Sequence, residues 1–155
     1  MRVLAVGGAG YVGSHVVREL CDRSHHVVVL DNLSTGHAQA VRAASRGAAE
    51  LIQGDVGDPT LVRDILRSRE IDAVMHFAAA SLVGESMQNP SKYWRNNVSC
   101  TVELLDAMVD SGVDRIVFSS SAAVYGEPMQ TPIPEDHPKS PTSTYGMTKL
   151  AIEHM

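Results

Sequence analysis

Cysteine is scarce: only Cys21 and Cys100 occur in 155 residues. Both fall in helix-like segments and form no paired-thiol motif. A disulfide framework is therefore excluded, and two free thiols in a reducing cytoplasm are expected. Long apolar runs are missing as well. No stretch approaches a membrane span, and glycines interrupt the apolar N-terminus before it reads as a cleavable signal. Basic runs are absent, and the net charge is −5. Nucleic acid and membrane are thus not expected as partners. The seven histidines show no ligand spacing, so no metal is expected. Two Asn-x-Ser triplets, at Asn32 and Asn97, read as chance matches without a secretory route. What remains is an ordinary globular composition, 44% hydrophobic and 20% charged, long enough for one domain with a real core.

The most informative stretch comes first. Arg2 to Val6 reads as a short strand, Gly7, Gly8, Gly10 and Gly13 follow, and a helical pattern starts near Tyr11 and Val12. Strand, glycine turn and helix form the context of a dinucleotide-binding loop, in which helix N–H groups and the helix dipole face a pyrophosphate. Two registers fit, Gly8-x-Gly10-x-x-Gly13 and Gly7-x-x-Gly10-x-x-Gly13. A plain turn would also use glycine.

The second β-branched run, Val27 to Leu30, ends in Asp31 and Asn32, and Asp31 lies 18 residues beyond Gly13. An acid at that strand end can accept both hydroxyls of an adenine ribose and would repel a 2′-phosphate, which favours NAD over NADP. A turn or helix cap is the alternative use. Helix is expected over Ala38 to Arg46, strand over Glu50 to Gln53, and helix over Pro59 to Ser68 with Asp58 as its cap. Asp55 and Val56 fall at the third strand's end. Ala73 to Phe77 reads as the fourth strand, followed by the small residues Ala78, Ala79 and Ala80. Ser81 to Asn89 reads as a loop. A helix from about Tyr93 to Asp110 is expected, with a stripe of Val98, Val102, Leu105 and Val109, ended by Gly112. Arg115 to Ser119 reads as the fifth strand, and a proline-rich loop then leads to a helix opening near Ser143.

Alternating strands and helices predict an α/β fold, a Rossmann-type doubly wound parallel sheet of order 3-2-1-4-5. Gly7 to Gly13, Asp31, Asp55, Phe77 to Ala80 and Ser121 all fall at the carboxyl ends of its strands, where ligands bind. Tyr145 and Lys149 are spaced i, i+4 and share a helix face. A tyrosine, with a reference pKa of about 10, is a poor base until a nearby ammonium favours its phenolate. Ser121 can hydrogen-bond the same substrate oxygen. Read blandly, Tyr145 is a surface helix residue and the serines close a strand.

The strings Gly-Gly-Ala-Gly-Tyr-Val-Gly-Ser-His (7–15), Asp-Asn-Leu-Ser-Thr-Gly (31–36), Gly-Asp-Val (54–56), His-Phe-Ala-Ala (76–79), Val-Gly-Glu-Ser (83–86), Asn-Asn-Val (96–98), Ser-Ser-Ser-Ala-Ala-Val-Tyr-Gly (119–126) and Tyr-Gly-Met-Thr-Lys (145–149) resemble the N-terminal part of extended short-chain dehydrogenases/reductases. The resemblance spans essentially the whole chain. It implies a cytoplasmic isomerase that interconverts UDP-glucose and UDP-galactose, with Ser121, Tyr145 and Lys149 catalytic. Tyr145 would take the sugar 4-hydroxyl proton, the C4 hydride would pass to tightly held NAD, and a 4-keto sugar would turn over before taking it back. It also implies that NAD is bound by Gly7, Gly10, Tyr11, Val12, Gly13, Asp31, Asn32, Ser34, Thr35, Gly36, Asp55, Val56, Phe77, Ala78, Ala79, Ser81, Asn96, Tyr145 and Lys149.

Relatives that dehydrate or decarboxylate nucleotide sugars carry a carboxylate after the strand-end serine; here Ala122 and Ala123 stand there. Some members have a lysine where this chain has Ser81, and a threonine where it has Ala123. A 4,6-dehydratase or decarboxylase relative and a non-catalytic NAD-binding module are the alternatives. Family chains are about twice as long. The expectation is an incomplete NAD-binding domain over 1–155, without the C-terminal substrate domain, with an open sheet edge and poor stability in isolation. The family also implies a full-length homodimer in which the helices near 93–110 and from Tyr145 pair across the interface.

Overall fold

The computed structural model describes residues 1–155. They form two compact units. The first comprises Met1–Ala78 and Val102–Ser119, and the second Ala79–Thr101 and Ser120–Met155.

The first unit is a five-stranded parallel sheet, β1 (Arg2–Val6), β2 (His26–Asp31), β3 (Glu50–Gln53), β4 (Ala73–His76) and β5 (Ile116–Phe118), in the order β3-β2-β1-β4-β5. This is the order expected from right-handed crossovers around a first-strand glycine loop. Register pairs Leu4 with Val28 on one side and Val74 on the other. The central strands are almost wholly buried, as a parallel sheet covered on two faces requires.

Alternation along β1 and β2 sends side chains to two cores. Leu4, Val6, Val28 and Leu30 meet Val62, Ile65 and Leu66 of α3 (Pro59–Ser68) and Leu104, Ala107 and Met108 of α6 (Cys100–Ser111). Ala5, Val27 and Val29 meet Val17 of α1 (Tyr11–Asp22) and Val41 of α2 (Ala38–Ser45). Asp58 caps α3 by accepting from the N–H groups of Thr60 and Leu61, with Pro59 at the first helical position.

Several boundaries differ from expectation. Residues 81–89 are not all loop: α4 (Val83–Gln88) forms there, held by the fully buried Tyr93, whose hydroxyl reaches the Leu82 carbonyl at 2.7 Å and Glu85 Oε2 at 2.9 Å. The helix expected from Tyr93 to Asp110 begins earlier and is not continuous α-helix. It runs through α5 (Pro90–Tyr93) and a π-helical stretch, Trp94–Ser99, before α6. Its valine stripe is also misplaced. Val102 and Val109 are exposed, Leu105 of the stripe packs partly buried against the core, and the buried face is Thr101, Leu104, Ala107 and Met108. α2 ends at Ser45, with Arg46 in the left-handed conformation as its cap. β4 stops at His76 and β5 covers only three residues. Gly112, also left-handed, ends α6 as expected. No helix is long and apolar enough to cross a membrane.

The second unit joins α4, α5 and the π stretch to a 3-10 turn (Ala122–Tyr125) and to α7 (Thr144–Glu153). β3 and β5 are the edge strands of the first unit, and Ile116 and Val117 lie exposed along β5.

Candidate functional site

The glycine loop is built by close backbone approach. Gly7 has φ +79°, and a Cβ there would lie 2.4 Å from the Ala78 nitrogen. A Cβ on Gly13 would lie 2.3 Å from the Gly7 carbonyl oxygen. Both positions therefore exclude a side chain, and the chain leaving β4 can run against the loop only because of it. Gly10 is the N-cap of α1 and offers no side-chain cap, and the first turn carries no acid. That leaves the first-turn donors to an anionic ligand, the arrangement by which helix N-termini hold phosphates. Tyr11 and Val12 are exposed beside it.

Asp31 is buried at the end of β2. Its carboxylate accepts from Ala9 N at 2.9 Å and from Leu33 N at 2.8 Å. It thus ties the glycine loop to the second strand, a cap-like role that still leaves lone pairs for ribose hydroxyls. Asn32 donates to Asp55 Oδ2 at 2.9 Å and accepts from Ser34 N at 3.0 Å, and Asp55 Oδ1 accepts from Gly57 N at 2.8 Å. Asn32, Ser34 and Asp55 are joined in one exposed network, with Val56 partly buried next to Asp55. Thr35 is exposed and Gly36 buried, a Cβ on Gly36 falling 3.0 Å from Asp31 Oδ1. Phe77 and Ala78 continue β4; Phe77 N donates to the Val6 carbonyl at 2.8 Å and Ala78 N to the same oxygen at 3.1 Å.

In the second unit, Ala79 is half-buried and Ser81 exposed. Asn96 is exposed and donates to Asn97 Oδ1 at 2.9 Å. In the sequence Asn97 stood only in a chance triplet and in the Asn-Asn-Val string, with no role of its own, yet it is 1% exposed and fully engaged. Its amide accepts from Ala80 N at 2.8 Å and donates to the Ala80 carbonyl at 3.0 Å and to Thr148 Oγ1 at 3.1 Å. Thr148 in turn donates to the Tyr145 carbonyl at 2.7 Å.

Ser121 caps the 3-10 turn by accepting from Ala123 N at 3.2 Å. This turn meets α7 at Gly146, where a Cβ would sit 2.5 Å from the Ala123 carbonyl oxygen. Gly146 thereby lets the element carrying Ser121 and the helix carrying Tyr145 touch backbone to backbone, a requirement that went unread in Tyr-Gly-Met-Thr-Lys. Glu153, at the end of α7, accepts from Ser120 Oγ at 2.5 Å and pairs with Lys139 at 2.5 Å. Burial pushes its carboxyl up, but the hydrogen bonds from Lys139 and Ser120 outweigh this and hold it below the usual carboxylate range.

Tyr145 is half-buried, and the ammonium of Lys149 lies 5.9 Å from its ring centroid. Lys149 is 2% exposed, and burial lowers its pKa to about 8. The lysine is still mainly charged at neutral pH and stands as a cation beside the tyrosine ring.

Sheet order, glycine cradle and strand-end acid define a Rossmann-type α/β protein. Over residues 3–155 the chain matches the NAD dependent epimerase/dehydratase family, and it belongs to that family. It is 54% identical over 153 residues to the UDP-glucose 4-epimerase of Lactobacillus helveticus, covering 99% of this chain and 45% of that protein. Among solved structures it is similar to the UDP-glucose 4-epimerase from Brucella ovis in complex with NAD, with 44% identity and a TM-score of 0.94 over 99% of this chain and 46% of that one. It is also similar to the Bifidobacterium longum UDP-glucose 4-epimerase in complex with NAD+ and UDP, with 37% identity and a TM-score of 0.95 over 99% of this chain and 47% of that one. The chain thus spans somewhat under half the length of these relatives.

Proposed function

We propose that this chain is the NAD-binding portion of a nucleotide-sugar 4-epimerase acting on UDP-glucose and UDP-galactose. The observation that carries the reading is the assembly of Ser121, Tyr145 and Lys149 on two elements that meet at Gly146, in a chain whose first strand opens on a steric glycine cradle. The cradle fits NAD: Gly7 and Gly13 hold the loop against neighbouring backbone, Gly10 N donates within the loop to the Gly7 carbonyl at 3.2 Å, the first turn of α1 has no side-chain cap to compete for the donors of Tyr11, Val12 and Gly13, and Asp31 supplies acceptors. Asn32, Ser34, Thr35, Gly36, Asp55, Val56, Phe77, Ala78, Ala79, Ser81 and Asn96 complete the proposed cofactor set, with Tyr145 and Lys149. NAD, when bound, supplies a reversible hydride acceptor for the sugar C4.

The chain's own residues supply the rest. Tyr145 accepts the proton of the sugar 4-hydroxyl, the buried Lys149 ammonium stands beside its ring, and Ser121 orients the same oxygen. Tyr145 would return the proton to the C4 oxygen as the turned 4-keto sugar regains its hydride on the opposite face of C4, so no net redox change results. Ala122 and Ala123 follow Ser121, and neither can deliver the acid–base step that loss of water from the sugar requires; this supports epimerisation over dehydration. The UDP-sugar is the proposed partner, the full-length protein is proposed to be a cytoplasmic homodimer, and residues 1–155 are read as the cofactor domain of a protein whose substrate domain follows.

The test is an epimerase assay on the protein expressed from its complete coding sequence. UDP-galactose should be converted to UDP-glucose without added reductant. Tyr145→Phe should lose about 100- to 10,000-fold in kcat while retaining NAD. Full activity in Tyr145→Phe would exclude Tyr145 as the base. A 4-keto-6-deoxy product would favour a dehydratase, and bound NAD without turnover would favour a non-catalytic module.

A further inference from the structure

The Val-Gly-Glu-Ser string resembles the family, yet no role attaches to it in the proposed reaction. Its place in the second unit supplies one. An α-helix leaves its first N–H groups without intrahelical partners, and buried donors of that kind need acceptors. At the start of α7, those donors are satisfied largely from α4. Thr144 N donates to Met87 Sδ at 3.4 Å, and Tyr145 N to Ser86 Oγ at 3.1 Å. The next two donors, Gly146 N and Met147 N, are taken by the hydroxyl and carbonyl of Ser143 at 3.1 and 2.9 Å.

Ser86 is well placed for this. It is 0% exposed, and its hydroxyl donates to the Val83 carbonyl at 2.6 Å, which turns an oxygen lone pair toward Tyr145 N. α4 is itself anchored. The buried Tyr93 hydroxyl reaches Leu82 O and Glu85 Oε2, and Lys92 pairs with the other Glu85 oxygen at 2.5 Å. A continuous chain of contacts therefore runs from Tyr93 through α4 to the backbone of Tyr145.

We propose that Ser86 is a positioning residue for the Tyr145 base: its hydroxyl fixes the first turn of α7 and so the placement of the phenol. This rests on the proposed role of Tyr145. An N-cap alone would stabilise a helix, but this contact comes from a separate helix and lands on the residue that bears the base. Small displacements of a reacting group cost rate far more than they cost substrate binding.

The test compares wild type, Ser86→Ala and Ser86→Thr in the protein expressed from its complete coding sequence, with circular dichroism to confirm folding. Ser86→Ala should lower kcat for UDP-galactose by about 10- to 100-fold and leave KM within about twofold. Amide exchange should accelerate in the peptide covering 144–147 and not elsewhere. Ser86→Thr, which keeps the hydroxyl, should recover most of the lost kcat. Unchanged kcat in Ser86→Ala overturns the proposal, as does an equal loss in both variants or faster exchange throughout the protein. A wild type that never converts UDP-galactose defeats the epimerase reading instead. In that case, unchanged exchange at 144–147 in Ser86→Ala overturns the positioning by itself, and selective acceleration there upholds it.

Discussion

Asp31→Ala separates what the second-strand acid does for the protein from what it does for a ligand. In the structure its two oxygens accept from Ala9 N and Leu33 N. Ala9 is 2% exposed, so removing the carboxylate strands a buried donor, whereas the Leu33 N–H is nearer solvent and can find water. A hydrogen bond to a charged acceptor contributes about 1.5–3 kcal/mol, and an unsatisfied buried donor costs about 1–3 kcal/mol. The expected loss is about 2–4 kcal/mol. For a chain of this size, that is a fall of about 5–15 °C in Tm. Asp31→Asn keeps one acceptor and should lose about half as much. The assay is a thermal melt of the three proteins without cofactor, followed by titration with NAD and with NADP. Both variants should bind NAD more weakly and discriminate less against NADP, because the charge that repels a 2′-phosphate is gone. A melt of Asp31→Ala within about 1 °C of wild type would refute the tie between β2 and the glycine loop, since so small a shift in a chain of this length corresponds to well under about 1 kcal/mol.

Two further outcomes follow from the geometry. Gly13→Ala places a methyl 2.3 Å from the Gly7 carbonyl, and that contact cannot relax without moving the loop. NAD affinity measured by fluorescence titration should fall by more than about tenfold, against a modest loss in Gly10→Ala, whose Cβ would meet nothing nearer than 3.4 Å. Lys149 is disfavoured as a cation by burial, with its pKa lowered from 10.5 to about 8. The unfolded chain therefore binds more protons between those values, and stability from this group rises with pH across that window. At pH 7 the penalty is about 3 kcal/mol at most. Lys149→Met should melt above wild type at pH 7, the gap should narrow as pH rises from 8 to 10.5, and activity should be lost at every pH; a gap independent of pH would contradict the burial cost.

The sheet and its order were legible because their signals are local and strong. Five apolar or β-branched runs separated by helical segments leave few topologies once crossovers are right-handed, and the glycine loop fixes which strand is central. The i, i+4 spacing of Tyr145 and Lys149 put the two on one helix, and both lie on α7 with the ammonium 5.9 Å from the ring centroid; Ser121 caps the 3-10 turn beyond the end of β5. The parts that were not legible depend on packing. The π stretch over Trp94–Ser99 has no compositional mark, and in α6 the exposed Val102 and Val109 are as apolar as the core-packed Leu105, so side-chain type alone does not separate the faces. α4 is six residues long and is held by Tyr93, just beyond its end, and by the α7 N-terminus, which is distant in sequence. Asn97 looked like part of a chance triplet because its four hydrogen bonds are made to residues 80, 96 and 148. Asp31 was read as a ribose acceptor with a cap as the alternative; its carboxylate makes cap-like contacts to Ala9 N and Leu33 N, one on each oxygen, which leave acceptor capacity for the proposed ribose contact.

The most direct test of the central claim uses UDP-galactose carrying deuterium at C4 and the protein expressed from its complete coding sequence. If Tyr145 takes the 4-hydroxyl proton while the C4 hydrogen is held in the site and returned, UDP-glucose should form with deuterium retained at C4 and with no NADH released to solution. UDP-glucose that has exchanged its C4 deuterium for solvent hydrogen, or a product lacking the 6-hydroxyl, would contradict it.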